Sequence, residues 1–225
     1  MGTPRDLRPA WYALRRGGAR DYVTLLHPPY TLWHLSYVAV GAAVAPHFRL
    51  ERLLLTLLAF FLAMGIAAHA LDELHGRPLA TRIPGPALVA LAAGGLAGAV
   101  AVGVYAALAW GLGLLVFVAV GAVLVPAYNL ELAFHNDVGF ALAWGAFPAL
   151  TAYFAQVQTI GVPGVAAAVY ALAASLAQRA LSTPVRRARR EYGTLEGTAP
   201  LESALRLLTW ATVALAVAAV AARLR

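Results

Sequence analysis

The sequence contains no cysteine and no lysine. Without cysteine the chain has no disulfide, no thiolate nucleophile and no cysteine-based metal site. Without lysine it forms no Schiff base, which excludes a retinal protein and a lysine-dependent aldolase. Only 12% of the residues are charged and 61% are hydrophobic, against about 25% and about 45–50% in soluble domains. A soluble globule of 225 residues cannot bury so much apolar surface, so the composition predicts an integral membrane protein.

All positive side-chain charges are arginines, and the formal net charge is +7. The arginines cluster between apolar runs and do not alternate with aromatic residues. This pattern is typical of membrane topology and not of a nucleic-acid-binding surface. We therefore expect no nucleic-acid partner.

Seven apolar runs approach the roughly 20 residues that a helix needs to cross a bilayer. They lie at about 30–46, 53–71, 85–104, 107–126, 138–158, 163–181 and 202–222. The sequence therefore predicts an all-α bundle of about seven transmembrane helices, which forms a single domain over residues 30–225. Residues 1–29 carry five arginines and end in Pro28-Pro29, which predicts an interfacial amphipathic segment.

The arginines are unequally divided between the two ends of this predicted bundle. The N-terminal segment and the loops after the second and sixth spans share one end and contain most of them. Arginine-rich loops are typical of the cytoplasmic side. We therefore expect a multi-pass protein of the cell membrane with its N-terminus in the cytoplasm.

Ionisable side chains concentrate at the end of the second span. His69, Asp72 and Glu73 are spaced i, i+3 and i+4, so they share one helical face, and His75 and Arg77 follow. Such groups are costly at a membrane helix end unless they are paired or hydrated. Carboxylates predict a Mg²⁺ or Mn²⁺ site, whereas added imidazoles favour Zn²⁺, Mn²⁺ or Fe²⁺. The alternative is a set of hydrated residues where the helix leaves the bilayer.

A second polar cluster joins spans four and five at the same predicted end. It contains Tyr128, Asn129, Glu131, His135 and Asp137. The last three are candidate further metal ligands, so that the two polar loops close one site. The alternative is a solvated loop in which the Asn-Asp sequence caps the next helix.

A third polar cluster lies at the end of span six. It contains Gln178, Arg179, Ser182, Thr183 and Arg186. Its cations predict binding of a diphosphate or an anionic lipid, or else they mark the cytoplasmic side of the membrane. By contrast, His27, His34 and His47 are isolated in the sequence, and we expect them to be boundary residues and not ligands.

Four stretches of the chain resemble the UbiA superfamily of intramembrane prenyltransferases. LLHPPYTLWHLSYVAVG is similar to the start of that family's first helix, and AAHALDELHGRPLATRIPG stands at its first Asp-rich motif. VLVPAYNLELAFHNDVGFALAWGAFPALTAYFAQ is similar to its Tyr-containing loop and the following helix, and ALSTPVRRARREYG stands at its second Asp-rich motif. The resemblance covers about residues 25–192.

The resemblance implies a UbiA-like helical bundle around a cavity that is open to lipid. In the family, Mg²⁺ and an isoprenyl diphosphate bind the Asp-rich motifs, and ionisation of the diphosphate gives an allylic cation that an acceptor captures. The resemblance assigns this chemistry to three residues, Asp72, Glu73 and Arg77. From the second and third polar clusters we expect substrate binding by Tyr128, Asn129, Arg179 and Arg186.

The second motif position carries Ser182, Thr183 and Arg186 and no acid, so alternatives to a UbiA-like enzyme stay open. One is a transition-metal enzyme on the same scaffold that hydrolyses, isomerises or oxidises a lipid. Another is a non-catalytic isoprenoid-binding protein or membrane subunit. Its partner would be another membrane protein or a second copy of the chain.

Overall fold

The computed structural model describes residues 8–132 and 135–225, and over these residues it contains helices and no strand. The predicted all-α architecture is therefore confirmed for the described chain. The helices are α1 (Ala19–Leu25), α2 (Pro28–Ala43), α3 (Leu50–Leu74), α4 (Gly85–Trp110), α5 (Leu114–Asn129), α6 (Asp137–Val157), α7 (Val162–Tyr192) and α8 (Ala199–Arg223).

Five of these helices, α3, α4, α6, α7 and α8, are long and apolar enough to cross a membrane. The structure therefore supports a helical membrane protein. The two other predicted spans correspond to α2 and α5, which have 16 residues each. At 1.5 Å per residue each is about 24 Å long, which is shorter than the roughly 30 Å hydrocarbon core. The count of seven spans and the orientation in the membrane stay predictions.

The turn between α4 and α5 lies further along the chain than the apolar runs predicted. We expected it near Gly103–Leu108, but α4 continues to Trp110. Gly111 ends the helix because it adopts φ +154°, a conformation that is accessible to glycine and strained for other residues. Gly103 remains within the helix.

Hydrogen bonds between loops identify the two ends of the bundle. At one end, Arg223 donates to the carbonyl oxygens of Ala45 and Pro46, both at 3.0 Å. At the other, the backbone N–H of Arg82 donates to Oδ2 of Asp21 at 2.8 Å. We call the second end the arginine-rich end; it is formed by the N-terminal segment and the loops that follow α3, α5 and α7. Helices α2 to α8 run alternately between the two ends.

Helix α2 occupies the centre of the bundle and packs closely on α6. Trp33, Tyr37 and Val38 are fully buried in it. A Cβ atom on Gly41 would overlap the backbone carbonyl group of Ala149 in α6. The close approach of these two backbones therefore requires glycine at position 41.

Three helices contain π-helical segments. They are Phe61–Ala68 in α3, Leu142–Ala146 in α6 and Ala188–Tyr192 in α7. A π-helical segment inserts extra backbone into an α-helix and is frequent at functional sites. Each of these segments adjoins or contains residues of the site described below.

Candidate functional site

A polar chamber of about 160 Å³ lies within the arginine-rich end of the bundle. Helices α2, α3, α6, α7 and α8 contribute to its walls, and the N-terminal segment covers it. The side contributed by α2, α3 and the N-terminal segment is lined by Trp11, Tyr12, His27, His34, His69 and Asp72. Most of these side chains are separated widely in the sequence, so the tertiary fold creates the site.

Three imidazoles line the chamber. His27 stacks on His69, with ring centroids 4.2 Å apart and ring planes inclined by 19°. His34 lies about two turns further along α2. Burial and the neighbouring His69 hold the pKa of His27 well below its ordinary value, so this ring is neutral at pH 7. His27 and His34 look isolated in the sequence, but in the fold His27 contacts His69 and His34 contacts the carbonyl oxygen of Trp144.

Backbone carbonyls fix the orientation of two of these imidazoles. Nδ1 of His34 lies 2.8 Å from the carbonyl oxygen of Trp144, and Nδ1 of His69 lies 3.2 Å from that of Gly65. Because a carbonyl oxygen only accepts, Nδ1 carries the proton in both rings, and Nε2 of each neutral ring carries the lone pair. Both carbonyls belong to π-helical segments. These segments therefore position the chamber histidines.

One face of α7 lines the opposite side of the chamber with Gln178, Ser182 and Arg186, at the four-residue spacing of a single helical face. Gln178 and Ser182 are 4% and 1% exposed. Within the described chain, Oε1 of Gln178 and Oγ of Ser182 have no hydrogen-bond partner. Buried polar atoms are nearly always paired in folded proteins, so these two atoms indicate that a ligand completes the site.

Arg186 is half-buried in the chamber wall. Its hydrogen bond within the described residues joins it to Oγ1 of Thr183 at 3.5 Å. The carboxylate ion pairs of α7 involve other arginines, namely Arg179, Arg187 and Arg189. In the part of the chain that the structure describes, Arg186 therefore has no carboxylate counter-charge.

Two carboxylates line the chamber, and they differ in their contacts. Glu202 is 5% exposed and pairs with Arg189 and Arg206. Asp72 forms no ion pair among the described residues. The chamber thus holds one carboxylate, that of Asp72, and two guanidiniums, those of Arg186 and Arg190, that form no ion pair in the described chain.

Glu73 and Arg77 organise the loop that follows α3 and do not line the chamber. Glu73 is fully buried and accepts hydrogen bonds from the backbone N–H groups of Leu79 (3.0 Å) and Thr81 (2.7 Å) and from Oγ1 of Thr81 (2.8 Å). Arg77 donates to the carbonyl oxygen of Ile83 at 2.7 Å. The structure therefore separates these two residues from Asp72, although the sequence placed all three in one catalytic group.

The second polar cluster lies outside the chamber lining. Glu131 lies 3.9 Å from Nε2 of His75 and 3.6 Å from Nε2 of His135, and the three side chains are about half exposed. Tyr128 stacks on His135, and its neighbour Asn129 donates to the carbonyl oxygen of Val125 at 2.6 Å. This cluster connects the end of α3 to the loop after α5.

The predicted metal ligands do not converge on one point. Asp137 pairs with Arg179 at 2.7 Å, and the cap of α6 is Asn136, whose Oδ1 accepts from the N–H of Gly139 at 2.8 Å. Within the described residues no three His, Asp or Glu side chains are grouped so that they could hold a metal ion. The candidates His69, Asp72, Glu73, His75, Glu131, His135 and Asp137 are instead divided among the chamber, the loop after α3, the cluster around Glu131 and the α6–α7 ion pair.

The N-terminal segment covers the chamber, which the sequence analysis did not anticipate. Tyr12 Oη lies 2.6 Å from Nδ1 of His27, and the Arg206 guanidinium lies 4.7 Å from the centre of the Trp11 ring. Arg189 donates to the carbonyl oxygen of Arg8 at 2.9 Å. The sequence feature that could have indicated this packing is the aromatic pair Trp11-Tyr12, which lies between arginines. Residues 1–7, including Arg5, lie outside the described residues.

In chemical terms the described part of the chamber combines two guanidiniums and one carboxylate without ion pairs, neutral imidazoles, and buried polar atoms without hydrogen-bond partners. Such a site suits an anionic ligand that also carries uncharged hydrogen-bonding groups. No model of a known protein family matches the chain, and no curated protein and no solved structure matches it.

Proposed function

We propose that this protein is a membrane-embedded enzyme that acts on an isoprenoid lipid diphosphate, with the diphosphate bound in the chamber. The observation that carries the proposal is the half-buried Arg186, which lines the chamber without a carboxylate partner in the described chain. Withdrawing a cation from water is costly unless an anion compensates it. A guanidinium matches phosphate oxygens in charge and geometry.

The charges around the chamber support an anionic ligand. Three arginines line it (Arg186, Arg189 and Arg190), against two carboxylates (Asp72 and Glu202). Because Glu202 is already held by Arg189 and Arg206, the remaining balance is positive towards the outer part of the chamber. A concave site with one dominant sign of charge concentrates ligands of the opposite sign.

The surroundings of the chamber suit a long hydrocarbon chain. Phe140 lines the chamber, and the adjacent Gly139 lines an apolar cavity of about 360 Å³ between α5 and α6. Tyr128, a predicted substrate-binding residue, also lines that cavity. An isoprenoid whose head group contacts Arg186 would therefore extend past Phe140 towards apolar surroundings.

The proposed chemistry is ionisation of the allylic diphosphate. The bond between the isoprenoid carbon and the diphosphate oxygen breaks, and the electron pair leaves with the diphosphate. Arg186 would stabilise the negative charge that develops on the leaving group, and Asp72 the positive charge on the isoprenoid carbon. Fixed charges in a chamber shielded from water are effective because they need little reorganisation.

A resident metal does not fit the chamber residues. Glu73, which the resemblance assigns to a metal clamp, is bonded to the loop after α3, and α7 carries Ser182 and Arg186 where a second acidic motif would stand. The proposal therefore assigns no step to Mg²⁺, Mn²⁺, Zn²⁺ or Fe²⁺. The experiment below is therefore carried out both with and without Mg²⁺.

The test is a thermal-shift titration of the detergent-purified protein with geranylgeranyl diphosphate, with and without Mg²⁺. A ligand that binds only the native state stabilises it by about 2.7 kcal/mol at 100 times its Kd. We expect the melting temperature of the wild type to rise, and this rise to be lost in Arg186→Gln. The matched control is Arg187→Gln, because Arg187 is exposed and pairs with Glu191.

Two results would count against the proposal. One is the absence of a shift in the wild type, and the other is an equal shift in both variants. Release of inorganic diphosphate in the presence of a membrane lipid extract separates an enzyme from a binding protein. Binding without any release would favour the non-catalytic alternative.

A further inference from the structure

An apolar groove of about 90 Å³ opens on the side of the bundle between α3, α4, α5 and α6, and it shares no described residue with the chamber. Its lining includes the half-buried side chains of Leu55, Phe60, Val100 and Phe117. No charged side chain of the described chain lines it, and its threonine hydroxyls donate to carbonyl oxygens within their own helices, both at 2.7 Å. The groove therefore suits a hydrocarbon chain.

The groove begins near the end of the bundle that lies opposite the arginine-rich end. Along α4 it extends from Trp110 back to Leu96, a distance of about 21 Å at 1.5 Å per residue. One leaflet of a bilayer contributes about 15 Å of hydrocarbon, which is half of the roughly 30 Å core. An acyl chain that starts beside Trp110 would therefore remain in contact with the groove through the depth of its own leaflet.

Arg52, near the start of α3, lies at the mouth of the groove. Its guanidinium carbon is 5.2 Å from the centre of the Trp110 ring. Its Nη1 donates to the carbonyl oxygens of Ala155 at 2.9 Å and Gln156 at 3.0 Å, in the last turn of α6. Because Trp110 and Ala155 both line the groove, these contacts place a positive charge where the groove begins.

The charge of Arg52 is not compensated within the described chain. Arg52 forms no ion pair there, and its Nε is buried without a hydrogen-bond partner. The carbonyl oxygens of α6 accept hydrogen bonds but supply no net negative charge. The charged side chains at this end are four arginines (Arg49, Arg52, Arg223 and Arg225) against one carboxylate, Glu51. This excess of positive charge favours an anion, and a guanidinium matches phosphate in charge and geometry.

We propose that the groove binds one acyl chain of an anionic phospholipid and that Arg52 binds the phosphate of the same molecule. A phospholipid carries a phosphate at the membrane interface and a hydrocarbon chain below it, and Arg52 and the groove present the complementary surfaces in that order. Basic residues next to membrane helices attract anionic lipids, and Trp110 is of the residue type that is enriched at the interface. The site is separate from the chamber, and the proposal does not depend on the proposed function.

The binding test is native mass spectrometry of the protein released from detergent micelles that contain dioleoylphosphatidylglycerol. The matched probe is dioleoylglycerol, which has the same acyl chains and no phosphate. We expect each wild-type monomer to retain one molecule of phosphatidylglycerol and to bind dioleoylglycerol about five- to tenfold more weakly, as for loss of one charged contact at a membrane surface. Equal retention of the two lipids, or retention of neither, would overturn the proposal. A dimer without phosphatidylglycerol would also overturn it, because a second copy of the chain would then cover the groove.

The role of the Arg52 charge is tested with Arg52→Gln, and Arg223→Gln is the matched control. Both arginines donate to backbone carbonyl oxygens at the same end of the bundle, but Arg223 belongs to α8, which does not line the groove. We expect Arg52→Gln to bind phosphatidylglycerol about five- to tenfold more weakly and dioleoylglycerol as the wild type does. Arg223→Gln should bind both lipids normally. An equal loss in the two variants would indicate a general response to surface charge and would contradict the proposal.

A second pair of variants leaves Arg52 and its bonds to α6 intact. Ala99→Phe fills the groove, whereas Ala101→Phe places the same ring at an exposed position of α4 that does not line it. We expect Ala99→Phe to weaken retention of both lipids about tenfold or more, since burial of two methylene groups already corresponds to that factor. Ala101→Phe should behave as the wild type. Unchanged retention in Ala99→Phe would refute binding of the acyl chain in the groove.

Competition with geranylgeranyl diphosphate separates this site from the chamber. The comparison is needed because Phe147 lines both the groove and the apolar cavity between α5 and α6. An excess of geranylgeranyl diphosphate should leave the bound phosphatidylglycerol in place. Displacement of the phospholipid would assign the groove to the isoprenoid chain and overturn the proposal. Arg186→Gln should retain phosphatidylglycerol even though it loses the thermal shift with the diphosphate, so the two proposals can fail independently.

Discussion

Asp72 and Glu73 are adjacent in the sequence, and we expect opposite consequences when each is replaced. Glu73→Ala removes three hydrogen bonds, from the N–H groups of Leu79 and Thr81 and from the Thr81 hydroxyl. Hydrogen bonds to a charged group contribute about 1.5–3 kcal/mol each. Because two of the three donors belong to Thr81, their contributions are not additive, and we expect a loss of about 3–5 kcal/mol in the free energy of unfolding.

Asp72→Asn should change stability much less, by about 1 kcal/mol or less. Asp72 forms no ion pair in the described chain, and asparagine has nearly the same shape. Its effect should appear in catalysis. Removal of the carboxylate that faces the developing cation should lower diphosphate release about 10²- to 10³-fold. Binding of geranylgeranyl diphosphate should persist, because the substitution removes a negative charge near an anionic ligand.

The assay combines thermal melting in detergent with diphosphate release measured well below the melting temperature of each variant. At about 2–4 °C per kcal/mol for a chain of this size, Glu73→Ala should melt about 6–20 °C below the wild type and keep its turnover per folded molecule. The reasoning is refuted if Glu73→Ala melts with the wild type, or if Asp72→Asn is the less stable of the two variants.

Two further predictions concern pH and helix packing. Burial holds the pKa of His27 well below its ordinary value, so below about pH 6.5 the unfolded chain takes up a proton that the folded chain does not, and stability falls as pH falls, by at most about 1.4 kcal/mol per pH unit. The melting temperature of His27→Asn should therefore fall less than that of the wild type between pH 7 and pH 5, and parallel curves would contradict this. Gly41→Ala should destabilise by about 1–3 kcal/mol, because its Cβ overlaps the carbonyl group of Ala149. Gly94→Ala has open space around its Cβ and should be neutral or stabilising by up to about 1 kcal/mol; the reverse order of melting temperatures would argue against this packing.

The helices were predictable because each apolar run is long enough to identify a helix without tertiary information. The residues at which the helices end were less predictable. The sequence around Gly103 offers small residues but no conformational break, whereas Gly111 ends α4 through its backbone angle. The local sequence does not reveal which of two glycines adopts a conformation with positive φ.

The site was predictable only in part, for reasons of distance along the chain. Asp72 and Arg186 were identified because ionisable side chains at the ends of membrane helices are costly unless they are paired or hydrated. Glu73 was assigned to the same group because helical spacing places it beside Asp72, but donors from the loop after α3 bind its carboxylate. His27 and His34 looked isolated because their partners, His69 and the carbonyl oxygen of Trp144, lie far away in the sequence.

The π-helical segment Phe61–Ala68 makes the angular position of His69 depend on the number of residues before it. Each residue of an α-helix turns the chain by about 100°. If one residue were deleted from this segment and α-helical geometry were restored, the first half of α3 would keep its packing while the second half would rotate about its axis. His69 and Asp72 would then turn away from α7, and the loop that holds Glu73 would follow. The orientation of the site residues thus depends partly on the number of residues in α3. Deletion of one residue from the π-helical segment would therefore misalign the site more than most substitutions would.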